Sequence, residues 1–278
     1  MFKNKIESKF VWDSDTFTKS DILYELNEIT ESNLLRFKTD YLNSGYGIGI
    51  INLKGDNEID SDYFVKISQY LGTLLEQNIH GEKVVEVKDM GQSLLKGGRY
   101  HYTRDGGSLH TDCPQWEERP DYLGMLCIHP AKEGGTSKFI SSYTIHNKLL
   151  KDQSLLICLY ENFHFDKRGE VKEGEDLTTI APIFNIENGI LNFRYLADYV
   201  YSSYALLGEQ LSERHKKALK NLDDLLENKK LIVSFDLVKG DLIYVNNLII
   251  AHGRGSFIDH SDKNKKRRIL RTWIKNRN

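Results

Sequence analysis

Gly106-Gly107-Ser108-Leu109-His110-Thr111-Asp112 is the stretch on which the reading of this chain turns. On an extended strand, residues two apart point to the same face, so His110 and Asp112 can grip one metal ion together. Far downstream, Asn246-Asn247 leads into His252-Gly253-Arg254, and His252 can add a third ligand from a different strand. Two histidines and one carboxylate on one face of an ion, with the opposite positions open, suit non-haem Fe(II) and its reaction with O2. After His252 comes Arg267-Arg268-Ile269-Leu270-Arg271, which offers planar cations for an anionic co-substrate beside that metal.

The His-x-carboxylate pattern is weak by itself. His80-Gly81-Glu82, His164-Phe165-Asp166 and His260-Ser261-Asp262 match it equally well. Context separates them. His110 follows a Gly-Gly turn and precedes an apolar strand, Tyr122 to Ile128, whereas His260 sits in a charged run that reads as solvated loop. His80 lies in a short polar link, and His164 lacks a glycine-rich lead-in.

Outward from this core, apolar spacing predicts helices over Asp21–Tyr41 and Ser61–Leu75, with a strand at Tyr46–Leu53 between them. Tyr122 to Ile140 reads as two strands joined by the turn Pro130–Gly135. Helices are expected at Ile145–Glu161 and Ser203–Glu227, the later part starting near Leu211-Ser212-Glu213-Arg214. Between them a hairpin, Ile180–Ile186 and Ile190–Tyr195, turns at Asn188-Gly189. Strands return at Leu231–Asp236, Leu242–Val245 and Arg268–Ile274. Strands at both ends of a long insertion, with helices outside, suit a mainly β double-stranded β-helix of jelly-roll, cupin-like type with a helical insertion at about 141–230. With 4 prolines and no linker, repeat or low-complexity segment, residues 1–278 read as a single domain.

Five segments in order resemble the taurine dioxygenase-like (TauD/TfdA) family of Fe(II)/2-oxoglutarate oxygenases, related to clavaminate synthase-like enzymes. They are Gly45–Ile50, Gly106–Asp112, Gly134-Gly135-Thr136-Ser137, Asn192-Phe193-Arg194-Tyr195, and Gly240–Asn247 running through His252–Phe257 to Leu270–Ile274. The resemblance implies that His110, Asp112 and His252 are the iron ligands and that Arg267 pairs with the distal carboxylate of 2-oxoglutarate. It also implies that Thr136 or Ser137 adds a hydroxyl there, with Ser137 favoured by the pattern Gly-Gly-x-Thr/Ser. Related halogenases lack the carboxylate; Asp112 keeps it, so hydroxylation is the expected outcome, with desaturation or cyclisation as alternatives.

On the final strand Arg267, Ile269 and Arg271 share one face and Arg268 and Leu270 the other. In that register Arg267 anchors 2-oxoglutarate and Arg271 reaches the substrate; a one-residue slip would make Arg268 the anchor. Arg194 and Arg271 are the candidates for a small amino-acid-like or otherwise anionic substrate, free or carrier-bound. Gln77 and Asn78 read as loop residues, Trp116 and Trp273 as core or lid, and Arg254 as a loop stabiliser without a catalytic role. Cys113 is expected to face away from the metal.

A net charge of −2 gives no sign of nucleic-acid or anionic-membrane binding. Lys263, Lys265 and Lys266 read as a solvated loop. Cys113, Cys127 and Cys158 form neither a disulfide framework nor a metal knuckle and fit a reducing cytoplasm. Met1 to Asp15 has no apolar core, and no apolar run is long enough to cross a bilayer, so a soluble cytoplasmic protein is expected. Two rivals use the same residues differently. A cupin-like metalloenzyme without 2-oxoglutarate needs no arginine behind the metal, and a binding module needs no metal.

Overall fold

The computed structural model of the protein describes residues 4–53, 60–78, 80–92 and 102–277. Three strands lie at its centre: Tyr122–His129 and Leu242–Asn246, nearly unbroken apolar runs, and Arg268–Lys275, where Ile269, Leu270, Trp273 and Ile274 are apolar. They pair antiparallel, with Leu126 facing Leu242 on one side and Leu270 on the other. Ile48–Leu53 extends the sheet beyond Leu242–Asn246, and Leu23–Leu26 adds to it in parallel. At the opposite side Thr73–Leu75 and Val84–Val87 both pair with the last strand.

Alternation along these strands sorts two cores. Leu123, Cys127, Ile243, Val245, Ile269 and Trp273 point into one, while Tyr122, Leu126, Leu242, Tyr244, Leu270 and Ile274 point into the other. The second core is closed by Leu34, Phe37, Phe64, Ile67 and Leu71 from the helices Glu31–Phe37 and Ser61–Leu71. The first is shared with a smaller sheet of Val233–Phe235, Ser137–Ser141 and Ile250–Arg254, with Ser137–Ser141 in the middle. Both faces of the larger sheet are therefore covered, which is why Tyr122–His129 and Leu242–Asn246 read as continuous apolar runs instead of alternating ones.

Several elements depart from the sequence expectation. Asp21–Tyr41 is not one helix: Leu23–Leu26 is a strand, and the helix begins at Glu31, where the Thr30 hydroxyl accepts the Asn33 N–H. Leucine spacing there fits either form, and pairing of Leu23 with Ile50 decides it. The helix from Ser61 stops at Leu71 because Gly72 must pass the main chain of the last strand. A Cβ at Gly72 would lie 2.2 Å from the Lys275 carbonyl oxygen.

The two strands between Tyr122 and Ile140 exist but do not pair; one belongs to each sheet, and the link through Glu133–Gly134 crosses between them. Ile145–Glu161 divides into Ser142–Leu149 and Gln153–Cys158, with Asp152 capping the second. Ser203–Glu227 divides into Ala197–Leu207 and Glu213–Leu226, separated by Gly208 at φ 68°. The hairpin is formed by Phe184–Glu187 and Ile190–Phe193, with Asn188 at φ 52° and Gly189 at φ 78° as a two-residue turn requires. Thr178–Pro182 pairs instead with Asn162–Asp166.

Phe139 is fully buried on the middle strand of the smaller sheet and stacks on Phe235 at 5.1 Å. Phe139→Ala should destabilise the fold by about 3–5 kcal/mol in urea unfolding, whereas exposed Ile258→Ala should change it by under about 0.5 kcal/mol. His146 is also fully buried, edge-on to Phe184 at 5.6 Å, and burial pushes its pKa down to about 4. As pH falls, the unfolded chain takes up this proton first, near pH 6.5. Stability should therefore be lost between about pH 6.5 and 4, by roughly 3 kcal/mol, and His146→Leu should flatten that acid limb in urea titrations at the two pH values.

Candidate metal centre

His110 reaches the smaller sheet through an isolated bridge to His252, in which His110 N–H donates to the His252 carbonyl at 2.9 Å and His252 N–H returns the bond at 2.8 Å. Two glycines permit this approach. A Cβ on Gly106 would meet the Ser256 nitrogen at 2.9 Å, and Gly107 N–H donates to the Arg254 carbonyl. His110 and Asp112 do not share a strand face, as the alternation argument required. The chain leaves extended geometry at Asp112, and Cys113 lies in the left-handed region at φ 54°. Asn247 sets this turn. Its Oδ1 accepts the Asp112 N–H at 2.7 Å, and its Nδ2 donates to the Asp112 carbonyl at 3.1 Å and to the Pro120 carbonyl at 3.0 Å. Cys113 is turned into the apolar core, where burial pushes its thiol well above the usual range.

The outcome is one donor set: nitrogens of His110 and His252 and an oxygen of Asp112, all within 4.8 Å of one another. Asp112 Oδ1 lies 3.5 Å from His110 Nε2 and 3.6 Å from His252 Nε2. A single ion with bonds of about 2.1 Å holds its ligand atoms roughly 3–3.5 Å apart, so small side-chain movements suffice. Ser108's carbonyl accepts from His110 Nδ1 at 2.9 Å, which fixes the tautomer with the Nε2 lone pair facing the site. Burial depresses the His252 pKa, keeping its ring neutral and able to ligate, although Asp112 pulls the other way. Burial alone would raise Asp112, but Arg271 together with His110 and His252 outweighs it and holds the carboxyl well below the usual range.

The second oxygen of Asp112 is committed elsewhere. Trp273 Nε1 donates to Oδ2 at 2.5 Å, and Arg271 Nη1 lies 3.5 Å from the same atom. Arg271 is fixed in turn: its Nε donates to Gln77 Oε1 at 2.9 Å, and its guanidinium lies 4.6 Å over the Trp273 ring. Trp116 meets Trp273 edge-on at 5.2 Å.

The last strand takes the first of the two registers weighed above, with Ile269, Arg271 and Trp273 on the metal-facing side. Arg268 is exposed and paired with Glu86. Arg267 precedes a register shift at Arg268/Ile269; it is buried, with its guanidinium 5.2 Å over Phe257 and Nη1 donating to the Val87 carbonyl at 3.4 Å. Gly135 adjoins it, since a Cβ there would lie 3.5 Å from Arg267 Nε. Ser137 and Arg254 face each other in the smaller sheet, as do Phe139 and His252, and Ser137 is buried. The Thr136 carbonyl accepts from Gly255 N–H, and Arg254 donates to the carbonyls of Thr103 and Gly255.

Arg194 is held apart from the three ligands: its Nη1 donates to the carbonyls of Pro114 and Trp116, and it lines a cavity with Arg119 that none of the three lines. Lys263, Lys265 and Lys266 are exposed, and His80, His164 and His260 lie outside the donor set. Three residues hold the site in ways the sequence did not show: Asn247, Gln77, which reads as a loop residue, and Trp273, which reads as core or lid. The period-two alternation that placed Arg271 also reaches Trp273 and carried the signal for it. Nothing local marks Asn247 or Gln77, whose partners are far away in the chain.

Residues 30–273 match the family described as Taurine catabolism dioxygenase TauD, TfdA family. FR-33289 synthase of Streptomyces rubellomurinus is 33% identical over 212 residues, covering 75% of this chain and 61% of that protein. A taurine hydroxylase-like protein of Stachybotrys chartarum is 29% identical over 155 residues, covering 54% of this chain and 38% of the relative. The chain thus spans less than two thirds of the length of either relative. Among solved structures, asparagine oxygenase in complex with Fe(II), 2S,3S-3-hydroxyasparagine and succinate superposes with a TM-score of 0.67 at 18% identity, covering 88% of this chain and 78% of that one. At that identity it speaks for the mixed sheet-and-helix fold alone. Matched from Thr30 to Trp273, the chain belongs to the TauD, TfdA family.

Proposed function

We propose that the protein is an Fe(II)/2-oxoglutarate-dependent dioxygenase that hydroxylates an unactivated C–H bond of a small amino-acid-like or otherwise anionic substrate. The observation that carries this reading is the convergence of His110, Asp112 and His252 within 4.8 Å, backed by a buried arginine, Arg267, beside the Gly135 turn. Iron and 2-oxoglutarate bound there supply the oxidation: O2 and 2-oxoglutarate give succinate and CO2, and one oxygen atom enters the substrate C–H bond as hydroxyl.

The protein's own share is binding, orientation and exclusion of water. His110 and His252 offer neutral nitrogens and Asp112 a single oxygen, because its other oxygen is held by Trp273 and Arg271. A cation stacked on Phe257 suits Arg267 for the distal carboxylate of 2-oxoglutarate. Ser137 is the favoured hydroxyl partner and Thr136 the other candidate. Arg271, beside Asp112, is the proposed contact for the substrate's anionic group; Arg194, the other candidate, lines a separate cavity and is proposed to hold an anion there and not at the metal.

The two sheets around one core support a double-stranded β-helix of jelly-roll type in one domain over 1–278, with an insertion at about 141–230 that carries four helices and two strand pairs. Three buried free cysteines suit a reducing cytoplasm. No described helix is long and apolar enough to cross a membrane.

Anaerobic addition of Fe(II) and then 2-oxoglutarate should produce a weak visible charge-transfer band, lost in His110→Ala, Asp112→Ala and His252→Ala. A protein that binds metal but consumes no O2 in response to 2-oxoglutarate would move the reading to a cupin-like metalloenzyme. Arg267→Ala should raise the 2-oxoglutarate requirement by about 30-fold or more, the cost of removing one partner of a buried charge pair, about 2–5 kcal/mol. Trp273→Phe keeps the ring under Arg271 but removes the N–H that fixes Asp112. It should weaken Fe(II) binding by about 10- to 100-fold in competition with a chromogenic chelator while leaving Tm within a few degrees.

A further inference from the structure

Arg119 poses an electrostatic problem that the metal centre does not solve. Its side chain is 7% exposed and donates one hydrogen bond, from Nη1 to the Phe193 carbonyl at 2.6 Å. A buried guanidinium calls for a paired carboxylate, and among the described residues none lies within 4.0 Å of it. Asp121 and Glu187 attract it from farther off, and its remaining charged neighbour is a second cation. Burial first, and the charge of Arg194 second, push Arg119 down to about 9. Arg194 has committed only Nη1, to the carbonyls of Pro114 and Trp116.

Both arginines line a cavity of about 170 Å³, close to the volume of five or six waters at about 30 Å³ each. Asn192 lines it too; its side chain is 9% exposed and has no hydrogen-bond partner among the described residues. Asn192 and Arg194 are two apart on an extended segment and so project to the same side. Of the acids around the cavity, Asp121 is engaged by Lys275 Nζ at 3.3 Å and by the Asn276 N–H at 2.7 Å. Glu117 and Glu187 are exposed and mark the mouth.

Lys275 and Asp121, which also line the cavity, offset each other, so two guanidiniums and an uncommitted amide inside, with two acids at the opening, are complementary to a zwitterion. We infer that this cavity is a second small-molecule site, holding the carboxylate of a free amino acid between Arg119, Arg194 and Asn192 and its ammonium at Glu117 and Glu187. None of His110, Asp112 and His252 lines it, so the bound molecule is not the one positioned at the metal. The site lies behind the segment that carries Asp112, because Arg194 grips the carbonyls of Pro114 and Trp116. Occupancy would neutralise the guanidinium pair and stiffen that segment.

Isothermal titration of the full chain without iron or 2-oxoglutarate makes the test independent of the dioxygenase reading. L-Alanine should bind saturably, one per chain, and raise Tm. Acetate and ethylamine, its two halves, should each bind at least about tenfold more weakly at matched ionic strength. Asn192→Asp supplies an internal carboxylate beside the guanidiniums; it should raise Tm without ligand and abolish L-alanine binding. Asn192→Leu, which leaves Arg194's hold on the loop intact, should weaken binding by about tenfold. Arg271→Ala should leave it unchanged. Absence of saturable binding to the unmodified protein would overturn the site. So would binding lost in Arg271→Ala but kept in Asn192→Asp, which would place the amino acid at the metal centre. Acetate binding as tightly as L-alanine would overturn the zwitterion assignment.

Discussion

The two backbone hydrogen bonds between His110 and His252 are the constraint from which the rest of the site follows. Three ligands drawn from two distant parts of the chain must meet around one ion, and each added degree of freedom would cost affinity. The bridge locks two histidine backbones to each other directly. Asn247 then locks Asp112 by satisfying both its N–H and its C=O, and one side chain does the work of a strand partner. Asn247 is fully buried, so these bonds compete with no water. Its place, five residues before His252 on the same strand-turn-strand, ties the carboxylate and the second histidine to one rigid unit.

The sheets explain why that unit is where it is. The larger sheet sends alternate residues to the helices and to the smaller sheet, so a side chain of the last strand aimed inward must meet the smaller sheet's inner face. Ile269, Arg271 and Trp273 are such residues, and His252 stands on the smaller sheet, paired there with Phe139. Polar groups in that gap have been desolvated and must be satisfied by one another. The division of labour in Asp112 is the result. One oxygen faces the histidines, and the other is tied by an indole N–H and approached by a guanidinium that Gln77 orients.

Much of this was legible because it is periodic or chemical. His110, Asp112 and His252 were found by residue type and context, and the inward face of the last strand by alternation. The Asn188-Gly189 turn was readable because two consecutive left-handed residues leave few alternatives. What was hidden depends on partners far off in sequence. Leu23–Leu26 forms a strand only because Ile50–Leu53 lies beside it, and Gly72 ends a helix only because the Lys275 carbonyl passes there. The expectation that His110 and Asp112 share a strand face named residues that do converge, but for the wrong geometric reason. A left-handed Cys113 and a buried asparagine supply what strand alternation does not.

Charge gives the substrate argument its direction. Around Asp112 the described residues set one carboxylate against the Arg271 guanidinium, with His252 kept neutral by burial, while Arg267 has the Asp259 carboxylate at its main-chain N–H. On the proposed assignment the metal would share the Asp112 charge, and a desolvated Arg271 would then be met by an anionic group on the substrate. On the proposed assignment Arg271 would be the residue through which this acts, since it already stands against the Asp112 oxygen that Trp273 holds. A substrate carboxylate drawn to Arg271 would be held next to the metal ligand itself, and its adjacent carbons would lie closest to the iron. The same guanidinium would then orient Asp112 and select the substrate, two tasks that a lysine's single ammonium could not perform at once.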